Sequence, residues 1–185
     1  VQLRIYQAST GTRLIELFNN TIKYKNEYSN KTGNRIKIFD STGITKHTVE
    51  TIIINSKPAC IVFDQLDKIQ GFSGDREDLR LGDIYIWARK LAKKYCPVIG
   101  VCQSDASGEG KRWLTMDNVA NAKTAKQAEA DWIIGIGKTH NESEEYQRFL
   151  SICKNKLMGD EDTEPMLRRG HLSVRILPDI ARFED

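Results

Sequence analysis

Residues 59–64 are Ala59-Cys60-Ile61-Val62-Phe63-Asp64, an apolar run that is closed by a single carboxylate. Short apolar runs of this kind are typical of strands that are buried on both faces of a parallel sheet. Open α/β sheets bind their ligands beyond the carboxyl ends of the strands, so we expect Asp64 where a metal ion or a phosphate group would be met. The alternative interpretation is a solvated or capping carboxylate at a strand end.

The composition of the 185 residues is that of a globular chain with mixed surface charge. Charged residues make up 29% of the chain and the net charge is +3, which is too small to predict a nucleic-acid partner by itself. No apolar run approaches the roughly 20 residues of a membrane span, and the N-terminus shows no signal peptide. We therefore expect one cytoplasmic domain with no membrane partner.

Strand and helix patterns alternate along the chain. Arg35–Asp40 alternates polar and apolar residues, which predicts a strand near the sheet edge. Residues 81–95 repeat apolar side chains at helical spacing and predict the clearest helix, and the apolar run 98–102 predicts the strand that follows it. A strand, a crossover helix and a second parallel strand would place Gln103 beside Asp64 at one edge of the sheet.

The two ends of the chain have different patterns. Near the start, Thr12 is expected to cap a helix whose apolar stripe is Ile15, Phe18 and Ile22. Toward the end, the strand-like runs 149–153 and 171–177 have no helical pattern between them. They are expected to pair as an antiparallel extension of the sheet.

The longest irregular stretch, 104–123, is rich in Gly, Ser and basic residues. A loop of this length inside a compact domain is usually functional. Taken in order, the segments of the chain resemble the C-terminal RecA-like motor of DnaB-like replicative helicases, especially the phage versions. The matching pieces, which cover about 35–185, are Ile38-Phe39-Asp40-Ser41-Thr42 with Thr45, the Walker B run 60–64, residues 89–94 leading to Pro97-Val98, Gln103, residues 122–131, Lys154-Asn155-Lys156, and Arg182-Phe183-Glu184.

The resemblance implies an α/β chain with the RecA-like P-loop NTPase fold. Its mainly parallel sheet would be flanked by helices, with antiparallel strands at the C-terminal side and the N-terminal part missing, so that 1–185 is one partial motor domain. It also implies that Asp64 holds the Mg²⁺ of a bound ATP, and that Gln103 is a sensor between the γ-phosphate and the DNA loop. For Gln103, an amide bonded to backbone at a strand end is the alternative.

The partners implied by the resemblance are single-stranded DNA and further copies of the same chain in a ring, usually of six. Lys111, Arg112 and Lys123 would contact DNA, the first two at its phosphodiester backbone, and Trp113 would stack on a base. Without the resemblance, Trp113 is more often a core anchor.

Lys154 and Lys156 would stabilise the charge of phosphoryl transfer in the neighbouring subunit. The chain departs from the common family pattern here, because the second position is usually Arg, whose fork binds phosphate in two places while Lys is a point charge. Arg182 is expected near the nucleotide, and it could share the charge-stabilising role with Arg168 or Arg169. The charges on this segment could also simply solvate a loop.

A helicase motor also needs a Gly-rich phosphate loop and a glutamate that activates water, and both are expected before Val1. Residues 135–139 imitate the end of a phosphate loop, but Trp132 stands where the pattern requires Gly. We therefore expect a helicase fragment that has no ATPase activity alone. The alternatives are a non-enzymatic RecA-like module that binds DNA or a protein, and a receiver domain that uses Asp64 and Lys138.

Overall fold

The computed structural model describes residues 2–74, 76–121, 123–156 and 168–184, and the chain divides into two compact units. The first unit comprises residues 1–40, 140–148 and 173–185. The second comprises residues 41–139 and 149–172.

The helices of the first unit are α1 (Gln2–Thr10), α2 (Leu14–Asn19) and α3 (Thr21–Thr32). The rings of Tyr6 on α1 and Tyr28 on α3 lie 4.5 Å apart between centroids, which fixes these two helices against each other. The main-chain N–H of Arg13 donates to the Glu16 carboxylate, so Arg13 rather than Thr12 is the N-cap residue of α2. The prediction that Thr12 caps the helix is wrong by one residue.

Two further expectations about the first 40 residues are wrong. Arg35–Asp40 forms no strand, because no described strand supplies the ladder hydrogen bonds that its main chain would need, and all six residues are exposed. The apolar stripe Ile15, Phe18 and Ile22 is also exposed, at 63%, 61% and 79% respectively. The helix is interrupted at Asn20, which ends α2 and precedes α3, so the three residues do not line one continuous helix.

The second unit is built on a strand, helix, strand arrangement. Its elements are α4 (Lys46–Ser56), β1 (Ile61–Phe63), α5 (Glu77–Lys94), β2 (Val98–Gly100), α6 (Lys123–Glu129) and β3 (Trp132–Gly137). β1 and β2 pair in parallel, with Ile61 opposite Val98 and Phe63 opposite Gly100. This confirms the predicted crossover from the 59–64 run through the helix at 81–95 to the next apolar run.

The core of the second unit lies between α4, α5 and the β1–β2 pair. Ile84 and Leu81 on α5 are almost fully buried, and Leu66 follows β1 into the same cluster. The indole N–H of Trp87 donates to the Glu50 carboxylate at 2.6 Å, which joins α5 to α4. The remaining buried members are Val49, Ile53, Phe63, Ile69, Trp87, Ala88 and Leu91.

A four-stranded sheet has the order β3-β4-β5-β6, with β4 (Gln147–Asn155), β5 (His171–Leu177) and β6 (Arg182–Glu184). β3 pairs antiparallel with β4, and β5 pairs antiparallel with β6. This confirms the predicted strands but corrects their placement. Among the described residues, the hydrogen-bonded ladder of these strands is separate from that of β1 and β2, so they form a second sheet and not an extension of the first.

Alternate residues of β3 face in opposite directions. Gly135 and Gly137 are buried, whereas Trp132, Ile134 and Ile136 are 53%, 47% and 54% exposed. Val62 on β1 and Ile99 on β2 are exposed as well. None of the helices formed by the described residues combines the length and apolarity that a bilayer crossing requires.

Candidate functional site

The carboxyl ends of β1 and β2 form one edge of the parallel pair. Asp64 follows β1 directly, and Gln103 comes three residues after β2 ends. The N–H of Val101 donates to the Phe63 carbonyl at 2.9 Å, and the N–H of Leu66 donates to the Val101 carbonyl at 3.2 Å. The two backbones therefore remain paired beyond the strands, and both predicted residues lie at the same edge.

Asp64 is exposed, and no described residue gives its carboxylate a hydrogen bond or an ion pair. The next residue, Gln65, has a left-handed backbone with φ 60°, which costs a residue with a Cβ about 1 kcal/mol or more. A carboxylate such as that of Asp64 suits Mg²⁺, which is commonly held by one or two carboxylates together with phosphates and water. The described residues contain no group of three potential metal ligands, and the role of Asp64 as a single protein ligand of Mg²⁺ stays a prediction.

Gln103 is held by its main chain. Its carbonyl accepts the N–H of Ala120 at 3.1 Å, so the strand end is tied to the far side of the 104–123 loop. The side-chain amide is exposed and makes no hydrogen bond to a described residue. The amide is therefore available to a ligand, and its role as a sensor stays a prediction.

A polar cluster that the sequence did not predict lies behind this edge. The Nζ of Lys126 is 2.6 Å from Oδ2 of Asp67, and the side chain of Lys126 is only 3% exposed. Tyr85 donates its hydroxyl to Oδ1 of the same carboxylate at 2.9 Å. Burial, together with the nearby Cys102 and Asp67 groups, raises the pKa of Tyr85 far above its ordinary value, so the hydroxyl stays a donor. The sequence signal was weak, because Asp67 and Lys126 are 59 residues apart.

The 104–123 loop is ordered by its own polar residues. Asn118 is buried, and its side chain bonds the hydroxyl of Ser107 and the main chain of Thr115. Lys111 and Arg112 are exposed, and the Arg112 guanidinium lies 4.9 Å from the centroid of the Phe149 ring. The contact of both residues with DNA stays a prediction.

Trp113 is half-buried and one of its faces is occupied. Its ring is stacked on His171 at 4.4 Å between centroids and meets the Phe149 ring edge-on at 5.2 Å. These contacts favour the core-anchor interpretation of Trp113. Stacking on a base would use the other face. Lys123 is the first residue of α6 and its DNA contact also stays a prediction.

Lys154 and Lys156 both bind the carboxyl end of α6. Lys154 donates to the carbonyl of Gln127, and Lys156 donates to that of Ala128 at 2.9 Å. Cations are stabilising at this end of a helix, where carbonyl groups lack partners within the helix. Desolvation, with the adjacent Lys156 charge, lowers the pKa of Lys154. In the described conformation these amines bind carbonyl groups of their own chain, and their action on a neighbouring copy stays a prediction.

Arg182 is the predicted nucleotide contact near the end of the chain. Its Nε donates to the Ala8 carbonyl at 2.7 Å, and its guanidinium packs against Gly11, whose φ is 71°. The exposed guanidinium is therefore anchored at one nitrogen to the end of α1. Its contact with nucleotide stays a prediction.

Residues 135–139, which imitate the end of a phosphate loop, belong to β3 and the turn after it. The next helical element is only the short 3-10 turn Glu142–Glu144, where a phosphate loop would require an α-helix. A Cβ on Gly137 would lie 2.1 Å from the carbonyl oxygen of Arg112, so this glycine allows the 104–123 loop to lie against the strand. The interpretation of these residues as an imitation is confirmed.

No family model matches the chain, and no curated protein sequence matches it. Its fold, however, is similar to that of a solved ATPase domain and of a solved DnaB-like replicative helicase, in agreement with the predicted fold class. The chain superimposes on one solved ATPase domain with a TM-score of 0.75 and 15% identity, over 98% of this chain and 68% of that one. A DnaB-like replicative helicase, solved in a study of its interactions with primase, matches with a TM-score of 0.71 and 13% identity, over 98% and 47%.

Proposed function

We propose that these residues are part of the ATP-driven motor of a DnaB-like replicative DNA helicase, which moves along single-stranded DNA and unwinds the duplex. The observation that carries the proposal is the exposed carboxylate of Asp64, which lacks a partner among the described residues and lies beside Gln103 at the edge of a parallel pair in a RecA-like fold. This is where an open α/β sheet binds its ligand.

In this proposal Asp64 holds the Mg²⁺ of ATP, and the ion neutralises charge that develops on the phosphates. Gln103 reports the state of the γ-phosphate to the 104–123 loop, whose Lys111, Arg112 and Trp113 meet single-stranded DNA together with Lys123. Ring assembly brings each nucleotide to an interface between copies.

The basic residues at the subunit interface are Lys154, Lys156 and Arg182. Each one already donates to a main-chain carbonyl within the chain. Their action on the neighbour's nucleotide therefore requires an exchange of these hydrogen bonds for phosphate oxygens.

The 185 residues contain no G-x-x-x-x-G-K-[ST] run. The proposal therefore takes the phosphate loop and the water-activating glutamate from outside these residues, and we expect no ATP turnover from the 185 residues alone. The non-enzymatic alternative, a RecA-like module that binds DNA without turnover, also accounts for the missing motif. The two hypotheses differ in what the complete gene product does with ATP.

The decisive experiment compares wild type, Asp64→Asn and Asp83→Asn in the complete gene product that contains these residues. We expect ATPase activity that single-stranded DNA stimulates, and we expect Asp64→Asn to lower kcat at least about 100-fold, which corresponds to roughly 2.7 kcal/mol of transition-state stabilisation. Asp83 is the matched control, because it is an exposed acid on α5 with no hydrogen bond or ion pair to a described residue. Full turnover in Asp64→Asn would refute the role of Asp64, and DNA binding without any turnover would favour the non-enzymatic module.

A further inference from the structure

The ion pair between Asp67 and Lys126 is unusual for its burial. The Lys126 side chain is 3% exposed and that of Asp67 is 24% exposed, with 2.6 Å between the charged atoms. The ammonium group also lies 5.3 Å from the centroid of the Tyr85 ring, whose hydroxyl donates to Asp67. A lysine is almost never buried to this extent unless it is paired.

Stability alone is a poor explanation for such a pair. Removing two charges from water costs free energy that their attraction only partly returns, and a well-packed apolar pair is often at least as stable. What a buried pair does provide is geometry, because each charge has one good position and the low dielectric penalises any other. The pair therefore fixes the position of the turn that carries Asp67 relative to the helix that carries Lys126.

The cluster joins two segments that the proposed function uses. Asp67 lies in the 3-10 turn Leu66–Lys68, which begins two residues after Asp64. Lys126 lies on α6, which directly follows the 104–123 loop.

α6 is tied to the 104–123 loop by a side-chain hydrogen bond. The side-chain amide of Gln127 donates to the carbonyl of Met116 at 2.7 Å. A displacement of α6 therefore moves the base of the loop, and a displacement of the turn after Asp64 moves Asp67. The Asp67–Lys126 pair is a direct side-chain contact between the turn and α6, so a displacement of one segment is passed to the other.

We propose that Asp67 and Lys126 form a positioning pair that couples the nucleotide edge at Asp64 to the 104–123 loop. The inference rests on the proposed function. Neither residue is assigned a contact with the nucleotide; a change of position at Asp64 would shift the turn Leu66–Lys68, the pair would carry the shift to α6, and the loop would respond. Because coupling of binding free energies is reciprocal, a loop that is fixed by single-stranded DNA favours the arrangement at Asp64 that binds the Mg²⁺-nucleotide.

The test removes both charges at once, since a single substitution would leave the other charge buried and unpaired. The Asp67→Asn/Lys126→Met variant keeps an acceptor for Tyr85 and the length of the lysine stem. In the complete gene product we expect basal ATPase activity within about twofold of wild type and a melting temperature close to it. The factor by which single-stranded DNA stimulates turnover should fall at least about fivefold, the lower end of typical allosteric couplings.

The matched control is Arg76→Gln/Asp78→Asn, which removes an exposed ion pair of similar length in the same unit. It should keep the full stimulation. If the Asp67/Lys126 variant does not fold, Tyr85→Phe decides instead, because it removes one hydroxyl from the cluster and is expected to lower the stimulation about twofold.

The possible failures are distinguishable. A wild-type protein with no DNA-stimulated ATPase would overturn the proposed function and the positioning pair with it. A wild type that is stimulated, beside a neutral-pair variant that is stimulated equally, would overturn only the positioning pair. An equal loss of basal and stimulated turnover would also overturn it, because a merely structural contact gives that result.

Discussion

The edge at Asp64 and the end of α6 both carry charged or polar groups, but only those at the end of α6 have hydrogen-bond partners among the described residues. At the edge, the carboxylate of Asp64 and the amide of Gln103 are exposed and have no partner among the described residues. At the end of α6, Arg89, Lys154 and Lys156 all donate to main-chain carbonyls of the helix. The first region is open to a ligand, whereas the hydrogen-bonding capacity of the second is already used.

This difference separates two kinds of residue that look alike in the sequence. At the edge of the parallel pair, a charge without a partner can act on a ligand, so its loss there should change activity and leave stability almost unaltered. A charge that satisfies a helix end acts on the fold, so its loss should lower the free energy of unfolding. We call the second region the closed region. It also includes β3, because residues 111–114 of the loop pack against the glycines of this strand.

The largest effect is expected in the closed region at Gly137. Gly137→Ala would place a Cβ 2.1 Å and 2.5 Å from the carbonyl oxygens of Arg112 and Lys111, and main-chain atoms cannot rotate away. We expect the variant to lose about 3 kcal/mol of unfolding free energy in chemical denaturation. The control is Gly82→Ala, where the new Cβ meets only the Ala125 methyl at 3.6 Å and the helix gains up to about 1 kcal/mol. Equal stability of wild type and Gly137→Ala would show that the loop does not lie on β3.

A smaller loss of stability is expected from Arg89→Met. The guanidinium of Arg89 donates to the Glu129 carbonyl and pairs with Asp131 at 2.9 Å, and both contacts are lost in this variant. We expect about 2 kcal/mol of destabilisation, as for hydrogen bonds to charged groups, with turnover per folded molecule unchanged. Lys90→Met on the same helix is the control, since Lys90 is exposed and makes no hydrogen bond or ion pair to a described residue. Loss of turnover at unaltered stability would break the comparison and assign the α6 end to catalysis.

The smallest effect is a pH dependence at Asp131. The hydrogen bond from Arg89, with the charges of Arg89 and Lys156, holds the pKa of Asp131 below its usual value. A carboxyl whose pKa is lower in the folded state adds stability that is present above the unfolded pKa and lost as the pH falls through the folded one. Asp131→Asn should therefore be less stable than wild type at pH 7, and the difference should disappear on acidification below about pH 4.

The control for this pH effect is Asp83→Asn, measured over the same pH range. Because no described residue forms a hydrogen bond or an ion pair with Asp83, its substitution should change the free energy of unfolding little. A wild type and an Asp131→Asn variant that unfold in parallel as the pH falls would contradict the assigned cause of the shift.

Local patterns predicted the parts of the fold that depend on local order. Apolar runs identified β1 and β2, helical spacing identified α5, and the rule for parallel strand ends placed Asp64 with Gln103. The failures concern contacts between distant residues. Arg35–Asp40 has the alternation of a strand, but none of the described strands pairs with it, and strand formation is decided by the pairing strand.

The candidate site divides in the same way. Asp64 could be identified from its position after an apolar run, because the sheet geometry makes that position informative. The roles of Lys126 and Gly137 depend on which segment lies against them, and neither the spacing nor the residue type states this. The amines of Lys154 and Lys156 were expected to reach another subunit, whereas the nearest acceptors are carbonyls of α6 in their own chain.

The alternation along β3 has a spectroscopic consequence. The three tryptophans differ in exposure: Trp87 is buried at 7%, Trp113 is half-buried and Trp132 is 53% exposed. An indole in water emits at longer wavelength than one in an apolar environment, so the red edge of the emission spectrum belongs mainly to Trp132. That part of the spectrum reports whether the outward face of β3 is covered, whatever covers it.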